Sequence, residues 1–173
     1  MDEIVNTGYN QVDLEAFYDG QVLLPAAANP TVWPALVRTP GREKVDLLAA
    51  GIKKGQERGL KVYAWMFTMN FGYTYGQIPS RKDAISRNGK GQNSIAVVDN
   101  RSQVFVDPYN QQAKNNYYQM VQEVMRCRAD GLLFDYVRYP RQAGTDSIAT
   151  KSCRFMGIYS RNTRSFTASC QKL

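Results

Sequence analysis

Histidine is absent from the 173 residues of this chain. That excludes Ser-His-Asp triads, Cys-His nucleophile pairs and histidine-based zinc sites. Cysteine is scarce. Cys127, Cys153 and Cys170 have no metal-ligand spacing, and an odd count of three argues against a disulfide framework. No run of about 18 apolar residues occurs, so no membrane span is indicated. The N-terminus, M-D-E-I-V-N-T, is acidic and poor in apolar residues, which is not a signal-peptide pattern. Acidic residues are missing altogether from residues 152–173, where Arg154, Arg161, Arg164 and Lys172 carry +4 of the formal +7. The remaining +3 spreads over residues 1–151, so the body is nearly balanced and no nucleic-acid partner is required.

What is present is enough for a folded core. Hydrophobic residues make up 43% of the chain, which argues against global disorder. The length suits a single domain but falls short of a complete (β/α)8 barrel, which needs about 250 residues. Aromatic residues are abundant, with eleven Tyr, seven Phe and two Trp. Such residues line sugar sites, and they also fill ordinary cores.

The pattern along the chain is alternating strand and helix. Residues 2–7 read as a helix end. Gln11 to Phe17 has strand period, with Gln11, Asp13, Glu15 and Phe17 on one side and Val12, Leu14 and Ala16 on the other. Leu23 to Val37 is broken by Pro25, Pro30 and Pro34 and reads as irregular. Thr39-Pro40 predicts a helix start, and Val45, Leu48, Ala49, Ile52 and Gln56 share one face of that helix. Gly59 suits the left-handed residue that closes it. Lys61 to Phe67 predicts a strand buried on both faces, because it barely alternates. Asn70 to Asn100 reads as a long polar loop, and its glycines lack the strand-turn-helix context of a phosphate-binding loop. Asp107-Pro108 predicts a helix cap. Ala113, Tyr117, Met120, Val121, Val124 and Cys127 then form a helical stripe. Alternating elements of this kind predict an α/β fold with a parallel sheet.

One stretch organises the rest: Asp130 to Pro140, D-G-L-L-F-D-Y-V-R-Y-P. Asp130-Gly131 reads as a turn, and Leu132 to Val137 as a buried strand. Asp135 interrupts that strand. A buried carboxylate is costly unless it is paired, hydrogen-bonded or exposed at a strand end. Arg138, Tyr139 and Pro140 end the strand, so Asp135 falls near its C-terminal end, where α/β folds handle substrates.

Three segments together resemble the glycosyl-hydrolase-like family 10 domain. They are G-L-K-V-Y-A-W-M-F (59–67), V-F-V-D-P-Y-N-Q-Q-A-K-N-N-Y-Y-Q-M-V-Q-E-V-M (104–125) and the 130–140 stretch. The resemblance covers about residues 5–151 and is closest to the cyanobacterial form of these bacterial proteins. It implies a (β/α)8 barrel, of which this chain holds strands two to four. The first strand and strands five to eight are expected to be missing. Residues 152–173 are expected to be an irregular tail outside the family, as from a truncated or interrupted gene. The resemblance also implies hydrolysis of O-glycosidic bonds in a polysaccharide, with bacterial cell-wall glycan as one candidate, no cofactor and no metal. Tyr63 stands where the family often has His, which removes any role that His would play.

Glycoside hydrolysis uses two carboxylates flanking the bond. Asp135 is the candidate for one of them. Its structural alternative is pairing with Arg138 or a backbone amide. The candidate substrate-binding residues are Glu15, Trp65, Asn70, Arg138 and Tyr139. Four of them have a plainer reading: Glu15 as a solvated strand residue, Trp65 as core, Asn70 as a turn residue, and Arg138 as the cation that keeps Asp135 ionised. A non-catalytic carbohydrate-binding domain of the same fold is the second reading, and a basic interaction protein the third. A few strands cut from a barrel would leave open edges and an uncovered inner face, so self-association is expected.

Overall fold

The computed structural model describes residues 1–87, 91–93, 95–98 and 101–139. The 152–173 segment expected to be a tail, with Cys153 and Cys170, lies outside the described residues, as does Pro140. In chain order the elements are α1 (Asp2–Asn6), β1 (Gln11–Tyr18), β2 (Gln21–Val22), α2 (Leu47–Gln56), β3 (Lys61–Phe67), α3 (Gly72–Gly76), β4 (Ile95–Val98), β5 (Arg101–Val104), α4 (Gln111–Arg126) and β6 (Gly131–Asp135). The architecture is mixed α/β. One sheet has the order β2-β1-β3-β6, and β4 and β5 form a separate antiparallel hairpin. β3 pairs in parallel with β1 on one side and β6 on the other, and β2 folds back antiparallel on β1. The expected parallel sheet is therefore present.

The two faces of the sheet differ. Val62, Ala64 and Met66 of β3 are fully buried, in one cluster with Leu48 and Ile52 of α2 and Met120 and Val124 of α4. Gly51 and Gly55 let α2 approach closely, since a Cβ there would stand 2.9 Å from Leu14 and 2.5 Å from Val62. On the opposite face Asp13 and Glu15 are exposed and Tyr63 and Trp65 are half-buried. Among the described residues β3 is thus fully buried along one face and only partly along the other, where Phe67 is buried but Tyr63 and Trp65 are not, against the expectation of two buried faces. Its sequence hid this because Tyr63 and Trp65 count as apolar by type. On the open face they present a hydroxyl and an indole N–H.

Several local expectations shift for identifiable reasons. β1 carries an irregularity between Glu15 and Phe17, which buries Ala16 and Phe17 in succession. Phe17, placed by strict alternation on the polar side, is instead a core ring 4.9 Å from Trp33. α2 begins at Leu47 with Asp46 as its cap, accepting from the Ala49 N–H at 2.8 Å. Thr39-Pro40 does not start it, because Gly41 follows at once with φ +81°. α4 is capped by Asn110, which accepts from the Ala113 N–H, while Asp107 caps only the turn at Tyr109. Residues 70–100 hold α3, a 3-10 turn at Pro79–Ala84 and β4, so they are not a plain loop. The helical stripe on α4 is as the spacing predicts, with Ala113, Met120 and Val124 buried.

Gly131 also differs. It has no positive φ; the left-handed residue of that turn is Arg128, at φ +60°. Gly131 already lies in β6, and a Cβ on it would meet the Tyr63 ring at 2.6 Å. The glycine makes room for an aromatic ring on the open face.

Candidate functional site

The register of the three parallel strands aligns the candidate residues. Glu15 pairs with Trp65, Trp65 with Leu133, and Phe67 with Asp135. Side chains alternate along a strand, so Glu15, Trp65, Phe67 and Asp135 point to one face, the uncovered one. Asp135 is the last residue of β6, at the C-terminal end of a strand parallel to its neighbour.

Asp135 is half-buried and tied at both oxygens. Trp65 Nε1–H donates to Oδ2 at 3.1 Å, and the Tyr136 main-chain N–H donates to Oδ1 at 2.6 Å. Its own carbonyl accepts from Thr68 N–H at 2.8 Å, which extends the pairing with the end of β3. No ion pair joins Asp135 to Arg138 among the described residues. The Arg138 guanidinium instead rests on the Tyr136 ring, 4.7 Å from its centroid, and donates to the Tyr139 carbonyl at 3.3 Å. Arg138 is exposed and Tyr139 half-buried.

The structure brings Trp65 onto Asp135, shows no contact of Arg138 or Tyr139 with it among the described interactions, and keeps the two other candidates apart. Glu15 is exposed and stands on β1, with β3 between it and β6. Two strand spacings and two residues of rise separate its Cα from that of Asp135 by about 12 Å. Asn70 is 4% exposed, and its Oδ1 accepts from Gly72 N–H at 3.0 Å, so it serves the turn into α3.

Tyr136 and Phe67 were not singled out from the sequence. Tyr136 has φ +51°, and its ring stacks on Phe67 with centroids 4.1 Å apart. Phe67 in turn meets Tyr18 edge-on at 5.7 Å. The only sequence signal for Tyr136 is its place directly after the strand-end carboxylate.

The other carboxylate of this segment does different work. Asp130, at the opposite end of β6, accepts from the Val62 main-chain N–H, from Gln56 Nε2 and from Lys61 Nζ, at 2.9, 3.1 and 3.0 Å. The Val62 amide, then Gln56 and Lys61, hold its carboxyl down at about 2. This is a clamp joining β6, β3 and α2 rather than a simple turn. Burial pushes the Tyr117 hydroxyl up to about 12 and the Cys127 thiol up to about 11. Among the described residues no three metal-ligating side chains gather, and no helix is long and apolar enough to cross a membrane.

The family pattern described as Glycosyl hydrolase-like 10 matches residues 1–167. The chain belongs to this family. The match extends past residue 151, where the resemblance was expected to stop, and takes in most of the segment expected to lie outside the family. No curated protein matches this glycosyl hydrolase-like 10 chain in sequence. In structure it is similar to alpha-L-fucosidase isoenzyme 2 from Paenibacillus thiaminolyticus, at 19% identity and a TM-score of 0.59, covering 99% of this chain and 24% of that one. It is also similar to an alpha-amylase from Geobacillus thermoleovorans, complexed with acarbose, at 14% identity and a TM-score of 0.53. There the likeness covers 99% of this chain and 41% of that one. The family and these (β/α)8-barrel glycosidases give the chain a glycoside-hydrolase-like fold. At such low identities the structural likeness concerns the fold alone, and the chain spans less than half of either neighbour.

Proposed function

We propose that the open face of the sheet is the inner surface of an arc of a (β/α)8 barrel. On this reading the chain acts on O-glycosidic bonds of a polysaccharide, with Asp135 as a catalytic carboxylate. One observation carries the reading. Asp135 ends a parallel strand on the uncovered face, half-buried, with both oxygens held by N–H donors. A carboxylate so oriented is suited to the anomeric carbon or the glycosidic oxygen of a sugar lying across the strand ends. Arg138 and Tyr139, just beyond the strand, are the contacts proposed for sugar hydroxyls, with Trp65 and Glu15 further along the face. Bacterial cell-wall glycan is one candidate polysaccharide.

The test is release of reducing ends from a panel of soluble glycans. Asp135→Asn is expected to lower turnover by at least about a hundredfold, the scale of lost acid–base or nucleophilic help. Equal turnover in the two proteins removes Asp135 from the mechanism.

One observation favours a second reading, a carbohydrate-binding domain without turnover. Glu15, the carboxylate nearest in register on the same face, stands a full strand away from β6. Glycan binding that survives Asp135→Asn, with no cleavage by either protein, is the result that would choose it.

A further inference from the structure

We infer that Tyr18 is a substrate-contacting residue, whose ring supports the sugar unit next to the one on which Asp135 acts. The inference rests on the proposed role of Asp135 and extends that site along the row of strand ends.

The argument begins with the irregularity in β1. Strict alternation from Glu15 would put Phe17 on the less covered face and Tyr18 inside. The register shift between Glu15 and Phe17 exchanges the two. Phe17 pairs with Met66, and both are fully buried. Tyr18 therefore comes out on the face of Trp65 and Phe67, where it meets the Phe67 ring. One extra residue in a strand re-aims the side chains that follow it, and such irregularities gather next to functional sites. Here it sends the purely apolar ring into the core and the phenol to the strand end.

The register then places that phenol. Tyr18 stands level with Phe67, and the register partner of Phe67 is Asp135. All three lie at the C-terminal ends of parallel strands, in one row. Two strand spacings separate the Cα of Tyr18 from that of Asp135, about 10 Å. That offset puts the ring beside a neighbouring sugar unit rather than at the bond facing Asp135. Tyr18 meets Phe67 nearly at right angles, with ring centroids 5.7 Å apart, so Phe67 occupies at most one face of the Tyr18 ring. Tyr18 is 41% exposed, whereas Phe67 beside it is 8% exposed. The turn that follows is anchored. Gln103 Nε2 donates to Asp19 Oδ1, and Gly20 packs against the Gly72 backbone. An exposed aromatic face on a fixed support, in line with a strand-end carboxylate, suits the C–H face of a pyranose ring.

A ring in this place binds and does not react. Its loss weakens binding of glycans long enough to reach it, and weakens the shortest ones least. A tyrosine that only closes the hairpin would affect every chain length alike.

The experiment uses oligomers of glucose and of N-acetylglucosamine, from disaccharide to hexasaccharide. Turnover is measured in wild type, Tyr18→Phe, Tyr18→Leu and Tyr18→Ala. Binding is measured by calorimetry in the same four proteins, each also carrying Asp135→Asn to prevent cleavage. Tyr18→Ala and Tyr18→Leu are expected to raise KM and Kd about tenfold on the longest oligomers, with the loss growing with chain length. Tyr18→Phe keeps the ring and is expected to keep most of the affinity. Leucine keeps an apolar contact with Phe67, so it decides the matter if the alanine variant fails to fold. A loss equal at every chain length, a loss in kcat without one in KM, or wild-type binding by Tyr18→Leu overturns the inference and leaves the proposed function standing. Binding that depends on Tyr18 in a wild type without turnover overturns the proposed catalysis alone. A wild type that binds none of these oligomers overturns the inference.

Discussion

Trp65 and Asp135 meet across neighbouring parallel strands, the indole N–H donating to the carboxylate at 3.1 Å. This relationship changes what Trp65 is for. Its type suggests a ring that stacks on sugar, yet its polar edge is spent on the carboxylate. Trp65→Phe keeps an aromatic face and removes the donor. The expected result is a fall in kcat of about tenfold or more with KM nearly unchanged, measured on whichever glycan the wild type cleaves. A raised KM with intact kcat would return Trp65 to sugar stacking.

Asp130 is expected to make the fold sensitive to acid. Its carboxyl is held at about 2, below the ordinary 3.8, by the Val62 amide, Gln56 and Lys61. A carboxyl lowered in the folded state stabilises that state above its unfolded value, and the contribution fades as pH falls through the folded one. The window is therefore about pH 4 down to about pH 2. Asp130→Asn is expected to lower the Tm at pH 7 and to flatten the dependence of Tm on pH across that window. Parallel curves for the two proteins would show that the clamp contributes nothing.

Gly20 and Gly72 pack backbone to backbone. A Cβ on Gly72 would stand 2.4 Å from the Gly20 Cα, and both residues have positive φ, +67° and +73°. Gly72→Ala is expected to cost well over about 1 kcal/mol by chemical denaturation, since neither backbone can retreat. Gly8 supplies the control. It has φ +88° and nothing within 4 Å of the place a Cβ would occupy, so Gly8→Ala isolates the conformational cost alone, about 1 kcal/mol. Equal losses at the two sites would mean that the close approach is not rigid.

The strand β6 exposes apolar surface on both faces. Leu133 is 41% and Phe134 47% exposed, and Val137 just beyond is 66% exposed. β6 is also an outer strand of the sheet. Concentration-dependent self-association is expected in sedimentation velocity, and Phe134→Lys is expected to reduce it. A monodisperse wild-type monomer at high concentration would argue against it.

Much of the fold was legible because its signals are local. The periodicity of 11–16 and 113–127, the glycine at 59 and the short apolar strand at 61–67 all follow from residue order, whereas the strand expected to be buried over 132–137 ends at Asp135 and leaves Leu133 and Phe134 exposed, because it is an outer strand. The misread parts depend on contacts distant in sequence or on single backbone angles. Gly41 cancels a good helix start at Thr39-Pro40, and a one-residue irregularity in β1 turns Phe17 inward. Asn110 outcompetes Asp107 for the cap of α4. At the candidate site, Asp135 was marked by its cost as a charge in an apolar strand. Tyr136 carried no comparable signal, since nothing in its type announces positive φ.

The sequence by itself determined that strands and helices alternate, that histidine chemistry is excluded, and that a carboxylate stands where a strand ends. These are properties of composition and spacing, which neighbours along the chain suffice to set. Only the tertiary structure decided that one face of the sheet is less covered than the other, and that the Trp65 indole of β3 donates to Asp135 at the end of β6. Such contacts join residues up to 70 positions apart, and they exist only once parallel pairing fixes the register between β3 and β6.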